Sequence, residues 1–171
     1  AICPLLVVPL DAVLTAGPRL LAIAVEPREP GNAGTLIRCA DAMGADAVLL
    51  LGDAVDPHNG KCVRASAGSV FHLPIVRERD VDAALSSVRS AGITILATSA
   101  DGELVLDDAS DVLAEPTAWL FGNEAHGLSA PLARAADHRV SIPIRGRAES
   151  LNIVTAASIC LHTSSRLQAG A

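Results

Sequence analysis

Five short apolar runs, at residues 20–25, 47–51, 93–98, 117–121 and 139–142, set the terms on which this chain can fold. Their apolar residues run on rather than alternate, as in parallel strands covered on both faces. A sixth run, 70–76, is a weaker strand candidate. Between the runs lie helical patterns. Residues 33–43 place Leu36, Cys39, Ala40 and Met43 on one face, with Asn32 as a candidate N-cap. A second helix, 81–91, stops at Gly92, and a third, 129–136, has Pro131 in its first turn. The longest, 153–167, carries a stripe of Ile153, Ala156, Ala157, Cys160 and Leu161. This alternation predicts one α/β domain over residues 1–171, a mostly parallel sheet flanked by helices.

Composition narrows the function classes. Half the residues are apolar and 19% are charged, the balance of a globular chain. Aromatics are 2%, with no tyrosine, which argues against nucleic-acid binding by base stacking. The net charge of −6 makes the chain a poor stand-alone partner for a phosphate backbone. Cys3, Cys39, Cys62 and Cys160 form no C-x-x-C pair and read as small buried thiols in a reduced, cytoplasmic setting. The five histidines show no H-x-x-x-H spacing, so no metal site is expected. No basic segment opens the chain as a signal peptide would. The apolar stretch 5–25 is cut by Pro9, Asp11, Pro18 and Arg19, so no membrane span is expected.

Three polar clusters follow predicted strands, where open α/β sheets place ligands. The first runs Glu26-Pro27-Arg28-Glu29-Pro30-Gly31-Asn32-Ala33-Gly34 and leads to Arg38, which stands four residues beyond Gly34 on the same helix face. It contains neither the dinucleotide fingerprint nor a P-loop. Its plain alternative is an Asn cap with an Arg38–Asp41 surface pair. The second is Phe121-Gly122-Asn123-Glu124-Ala125-His126-Gly127-Leu128, where glycines would let a ligand approach the backbone; the alternative is a solvated turn. The third, residues 142–152, includes Arg145 and Arg147 and ends Ser150-Leu151-Asn152 before the long helix. There Ser150 and Asn152 are competent caps, and Leu151 between them suits a ligand wall. Lys61 and Arg64 share one side of a fourth, short helical segment, and Thr98-Ser99-Ala100 ends a strand with small residues.

In this order the clusters resemble the SpoU family of RNA ribose methyltransferases, within the SPOUT class. The resemblance rests on Asn32-x-Gly34-x-x-x-Arg38, Arg64-Ala65-Ser66-Ala67-Gly68 with Pro74, Phe121-Gly122-Asn123-Glu124-x-x-Gly127-Leu128, and Ile142-Pro143-Ile144 with Glu149-Ser150-Leu151-Asn152. It spans about residue 20 to the C-terminus. It implies a deep C-terminal trefoil knot, against the general rule for chains, and a homodimer with its site near the interface. It also implies methyl transfer from S-adenosylmethionine to a ribose 2′-hydroxyl of ribosomal or transfer RNA. On this likeness Thr98, Ser99, Leu120, Gly122, Ile142 and Leu151 surround the cofactor. Asn32, Arg38, Glu124, Ser150 and Asn152 form the reaction centre, and Arg145 and Arg147 contact RNA. His126 receives no role. Many members carry an RNA-binding domain ahead of the catalytic one; its absence here is the expectation from the acidic charge and the Ala1 start. The rival reading is a non-catalytic RNA-binding or assembly protein that keeps the fold.

Overall fold

The computed structural model describes residues 6–123 and 126–170. Seven strands form one sheet: β1 (Leu20–Val25), β2 (Ala47–Leu51), β3 (Ile75–Glu78), β4 (Thr94–Thr98), β5 (Leu104–Val105), β6 (Thr117–Phe121) and β7 (His138–Ser141). They lie in the order β3-β2-β1-β6-β4-β7-β5, and every neighbouring pair is parallel. All carboxyl ends therefore share one edge. The helices are α1 (Leu10–Thr15), α2 (Pro30–Ala42), α3 (Gly60–Ala65), α4 (Val81–Ser90), α5 (Ser110–Leu113), α6 (Ala130–Ala135) and α7 (Ile153–Gln168).

Strand alternation divides the buried residues between two cores. Leu20, Ala22 and Ala24 of β1, with Trp119 and Phe121 of β6, pack beneath α2 and α7. Leu21, Ile23 and Val25, with Ala118 and Leu120, face the α4 side. Continuous apolar runs in the sequence are thus two interleaved faces, each covered. Helix α7 is fixed by a buried hydrogen bond from Trp119 Nε1 to Ser164 Oγ, 2.9 Å, and packs on α2, where Cys39 Sγ lies 3.2 Å from Ser158 Oγ. Cys39, Cys62 and Cys160 are buried, as expected, and burial pushes the Cys62 thiol up to about 11. Cys3 falls outside the described residues.

Three expectations need correction. Helix α2 starts at Pro30, not at 33, and its N-cap is Glu29; Asn32 sits inside the first turn. Proline at the first helical position, with φ preset and no amide hydrogen to satisfy, allows the earlier start. The weak strand at 70–76 is a 3-10 turn over Ser69–Phe71 followed by β3 at Ile75–Glu78. Gly68, at φ 98°, turns the chain there, and β3 continues into charged residues because it is an edge strand. Asp41 bonds His72 Nδ1 at 3.0 Å rather than pairing with Arg38. Helix α1 and the two-residue β5 were not legible at all. Among the described residues no helix is long and apolar enough to cross a membrane.

Candidate active site

Sheet order, not sequence order, assembles the site. β6 lies between β1 and β4, and β7 pairs with β4, so the exits of β6, β4 and β7 are neighbours. The loops that leave them, and the segment entering α7, enclose two adjoining cavities. One, of about 380 Å³, is walled by Thr98, Gly122, Asn123, Leu128, Ser150, Leu151 and Asn152 among others. The next, of about 210 Å³, is walled by Thr98, Ser99, Ile142, Ser150 and Leu151. Thr98, Gly127, Ser150, Leu151 and Ala156 border both, so they form one continuous cleft.

The loop after β6 folds back on itself. Asn123 N donates to Gly127 O at 3.1 Å, and Gly127 N donates to Asn123 O at 2.8 Å. Gly127 takes φ 66°, a left-handed value that suits glycine. A Cβ on Gly122 would collide with the Gly127–Leu128 peptide. Glycine at 122 is thus demanded first by the loop's own closure, and the cleft wall is a consequence. Asn123 Nδ2 also donates to Glu26 O at 2.8 Å, tying this loop to the exit of β1. Glu124 and Ala125 lie outside the described residues.

The strand β4 exit is braced independently. Thr98 Oγ1 donates to Leu120 O, 3.3 Å, and Ser99 Oγ lies 2.5 Å from Asp101 Oδ1. The Ser99 hydroxyl, followed by Arg139, holds the Asp101 carboxyl below its usual range. Arg139 Nε also meets Glu103 Oε2 at 2.8 Å, joining this corner to β7.

Of the six expected cofactor positions, Thr98, Ser99, Gly122, Ile142 and Leu151 line the cleft. The Leu120 side chain does not: it is fully buried on the α4 face, because its position in β6 is one residue out of phase with Phe121. Only its carbonyl, accepting from Thr98, is turned to this region. Of the expected reaction-centre residues, Ser150 and Asn152 line the cleft. Asn152 is also the α7 N-cap, its Oδ1 accepting from Val154 N at 2.8 Å, so the capping alternative holds for it while it also lines the cleft. Asn32 and Arg38 are on α2 and not on the cleft wall. Six residues of helix set them about 9 Å apart along the axis and about 120° apart around it. Arg38 is exposed and, among the described residues, makes no hydrogen bond or ion pair. Gly34, its motif companion, is buried against α3, where a Cβ would strike the Cys62 carbonyl; its bareness serves helix packing. Arg145 and Arg147 are exposed on the loop before α7, Arg145 lying 3.6 Å from Asp107. Asn123, quoted in the family motif but given no role from the sequence, borders the cleft and holds Glu26.

The family profile for the SpoU rRNA Methylase family matches residues 19–162. The chain belongs to this family. It is 36% identical over 154 residues to the 23S rRNA (guanosine(2553)-2′-O)-methyltransferase RlmP of Bacillus subtilis, covering 90% of this chain and 60% of that protein. It is 39% identical over 143 residues to the 23S rRNA (uridine(2479)-2′-O)-methyltransferase of Streptomyces viridochromogenes, covering 82% of this chain and 50% of that protein. Among solved structures, the AdoMet-bound rRNA methyltransferase from Sinorhizobium meliloti superposes with a TM-score of 0.85 at 36% identity, over 94% of this chain and 60% of that one. The chain therefore spans half to three fifths of the length of these relatives.

Proposed function

We propose that this SpoU-family chain is the catalytic part of an S-adenosylmethionine-dependent methyltransferase acting on a ribose 2′-hydroxyl of RNA, ribosomal RNA in the first instance. The observation that carries the reading is the convergence of the β4, β6 and β7 exits on one cleft shared by Thr98, Ser150 and Leu151. The cleft fits the cofactor: Leu151, Ile142 and Ala156 offer apolar walls to an adenine, and Thr98, Ser99 and Gly122 bring backbone close to it. When bound, S-adenosylmethionine supplies the methyl group as an electrophile.

The chain's own residues then bind and orient. The closed Asn123–Gly127 turn and the Ser99–Asp101–Arg139 brace fix two walls before any ligand arrives, which lowers the cost of positioning. Asn152, with Oδ1 committed to the α7 cap, keeps its amide NH2 as a donor for a ligand at the cleft it borders; Ser150 adds a hydroxyl. Arg38, exposed and permanently charged, holds an RNA phosphate or stabilises charge developing on the ribose oxygen. Glu124 accepts the proton or orients Arg38. Asn32 positions the ribose, and Arg145 and Arg147 touch the RNA backbone. The knot and the homodimer are part of the same proposal. Insertion of β6 between β1 and β4, with α7 returning onto α2, supports the knot. An exposed Arg38 away from the cleft wall in one chain supports a site completed by a second copy. We place the protein in the cytoplasm, with its RNA.

The test is transfer of labelled methyl groups from S-adenosylmethionine to ribosomal or transfer RNA from cells lacking the gene, followed by nucleoside analysis for 2′-O-methylation. A protein that folds but neither binds S-adenosylmethionine in calorimetry nor labels RNA would be a non-catalytic relative.

A further inference from the structure

A second cavity opens on the other side of the 122–128 loop. It measures about 630 Å³, within the range of about 300–1,000 Å³ usual for small-molecule sites. Val81, Leu128 and Leu132 give it apolar walls from the α4 side of the sheet, and Glu26, Arg28 and His126 give it polar groups. Asn123, Gly127 and Leu128 border this cavity and the cofactor cleft alike.

Resting on the reading above, we propose that this cavity takes the base of the nucleotide to be methylated and that Glu26 and His126 select it. Apolar walls with a few polar groups of both hydrogen-bonding senses suit a nucleobase: faces against the aliphatic side chains, edge against the polar ones. A free phosphate suits it poorly, because Arg28 already pairs with Asp53 at 2.5 Å and approaches Glu26 at 3.8 Å, and the Glu26 carboxylate would repel an anion.

The backbone adds an independent observation. Glu26 adopts φ 49°, a left-handed conformation that few non-glycine residues accept. It is held there by its own amide, which donates to Leu51 O at 2.9 Å, and by Asn123 Nδ2 on its carbonyl. Its side chain packs across Gly52. Strain of this kind persists where surrounding structure enforces it, and it gathers at ligand sites. Here the enforcing residue, Asn123, borders both cavities. A base in the second cavity thus leaves its ribose at the rim shared with the methyl-donor cleft. Relatives as similar to this chain as those named for a guanosine and for a uridine differ in the base they are named for, so a base-selecting pocket is needed beside the methyl-donor cleft. Glu26 and His126 are not among the motif residues that carry the family resemblance.

The experiment uses the full-length protein, labelled S-adenosylmethionine, and ribosomal RNA from cells lacking the gene. Leu132→Trp fills the cavity, Glu26→Gln changes its hydrogen-bonding sense at constant shape, and Ser86→Trp, on the exposed side of α4, is the control. The expected result is a kcat/KM for RNA lowered about tenfold or more in the first two, with S-adenosylmethionine affinity within about twofold of wild type and Ser86→Trp unchanged. Should Leu132→Trp lose cofactor binding through misfolding, Glu26→Gln decides. Wild-type kcat and KM in Glu26→Gln together with a folded Leu132→Trp overturn the cavity assignment while leaving the methyltransferase reading intact. A wild-type protein that labels no RNA overturns both.

Discussion

Helices α2 and α7 each begin at a family motif, and the structure treats the two motifs differently. At the start of α7, Ser150, Leu151 and Asn152 all border the cleft, and Asn152 also caps its helix through its amide oxygen. On α2, Gly34 is consumed by contact with α3, and Arg38 projects into solvent away from the cleft wall. The same kind of sequence signal thus marks a cleft wall in one place and, in the other, a helix contact and an exposed arginine. On the proposed function, the wall binds the cofactor and Arg38 acts once RNA or a second chain is in place.

The largest effect that would test this contrast comes from Arg38→Ala. Methyl transfer should fall by about 10²–10³-fold, the scale of losing one charge-stabilising donor, while calorimetry shows S-adenosylmethionine affinity unchanged. A parallel loss of cofactor binding would put Arg38 in the cleft and dissolve the distinction. Gly34→Ala should destabilise the protein by about 1–3 kcal/mol through forced separation of α2 from α3, seen as a lower denaturation midpoint. Unchanged stability would show that packing against α3 is not what requires glycine at 34. Asn152→Ala should cost about 1 kcal/mol from the lost cap and also weaken cofactor binding; a stability loss alone would make Asn152 only a cap.

The smallest effect concerns the β4 corner. Asp101 has a folded pKa below its unfolded value, so its contribution to stability is present above about pH 4 and disappears as pH falls through the lower, folded value. Asp101→Asn should therefore lower the melting temperature slightly at pH 7, and the difference from wild type should shrink toward zero on acidification below pH 4. A gap that persists at low pH would assign the corner's stability to something other than the carboxylate.

Much of the sheet was legible because apolar runs bounded by glycine and charge have few other uses. β1, β2 and β6 fall on the residues the runs mark, and β4 within one residue. β3 was not, since an edge strand exposed on one side reads as charged, and β5 is too short to leave a pattern. The start of α2 was misread because Pro30 looks like a loop residue until its place at the first turn is known. Residue types pointed to segments that line the cleft, but phase within a strand decided that Leu120 packs on the α4 face while Phe121 packs beneath α2 and α7 and borders the cleft.

By itself the sequence determined the layered α/β class, the two-sided burial of the strands and the motif set that places the chain in its family. These are local properties: periodicity, turn chemistry and residue type. The tertiary structure alone decided that the β4, β6 and β7 exits are neighbours, that Gly122 yields to a folded-back loop, and that Asn123 reaches Glu26, 97 residues away in sequence. Strand order is fixed by which apolar faces pair across long separations. No window of sequence contains that information.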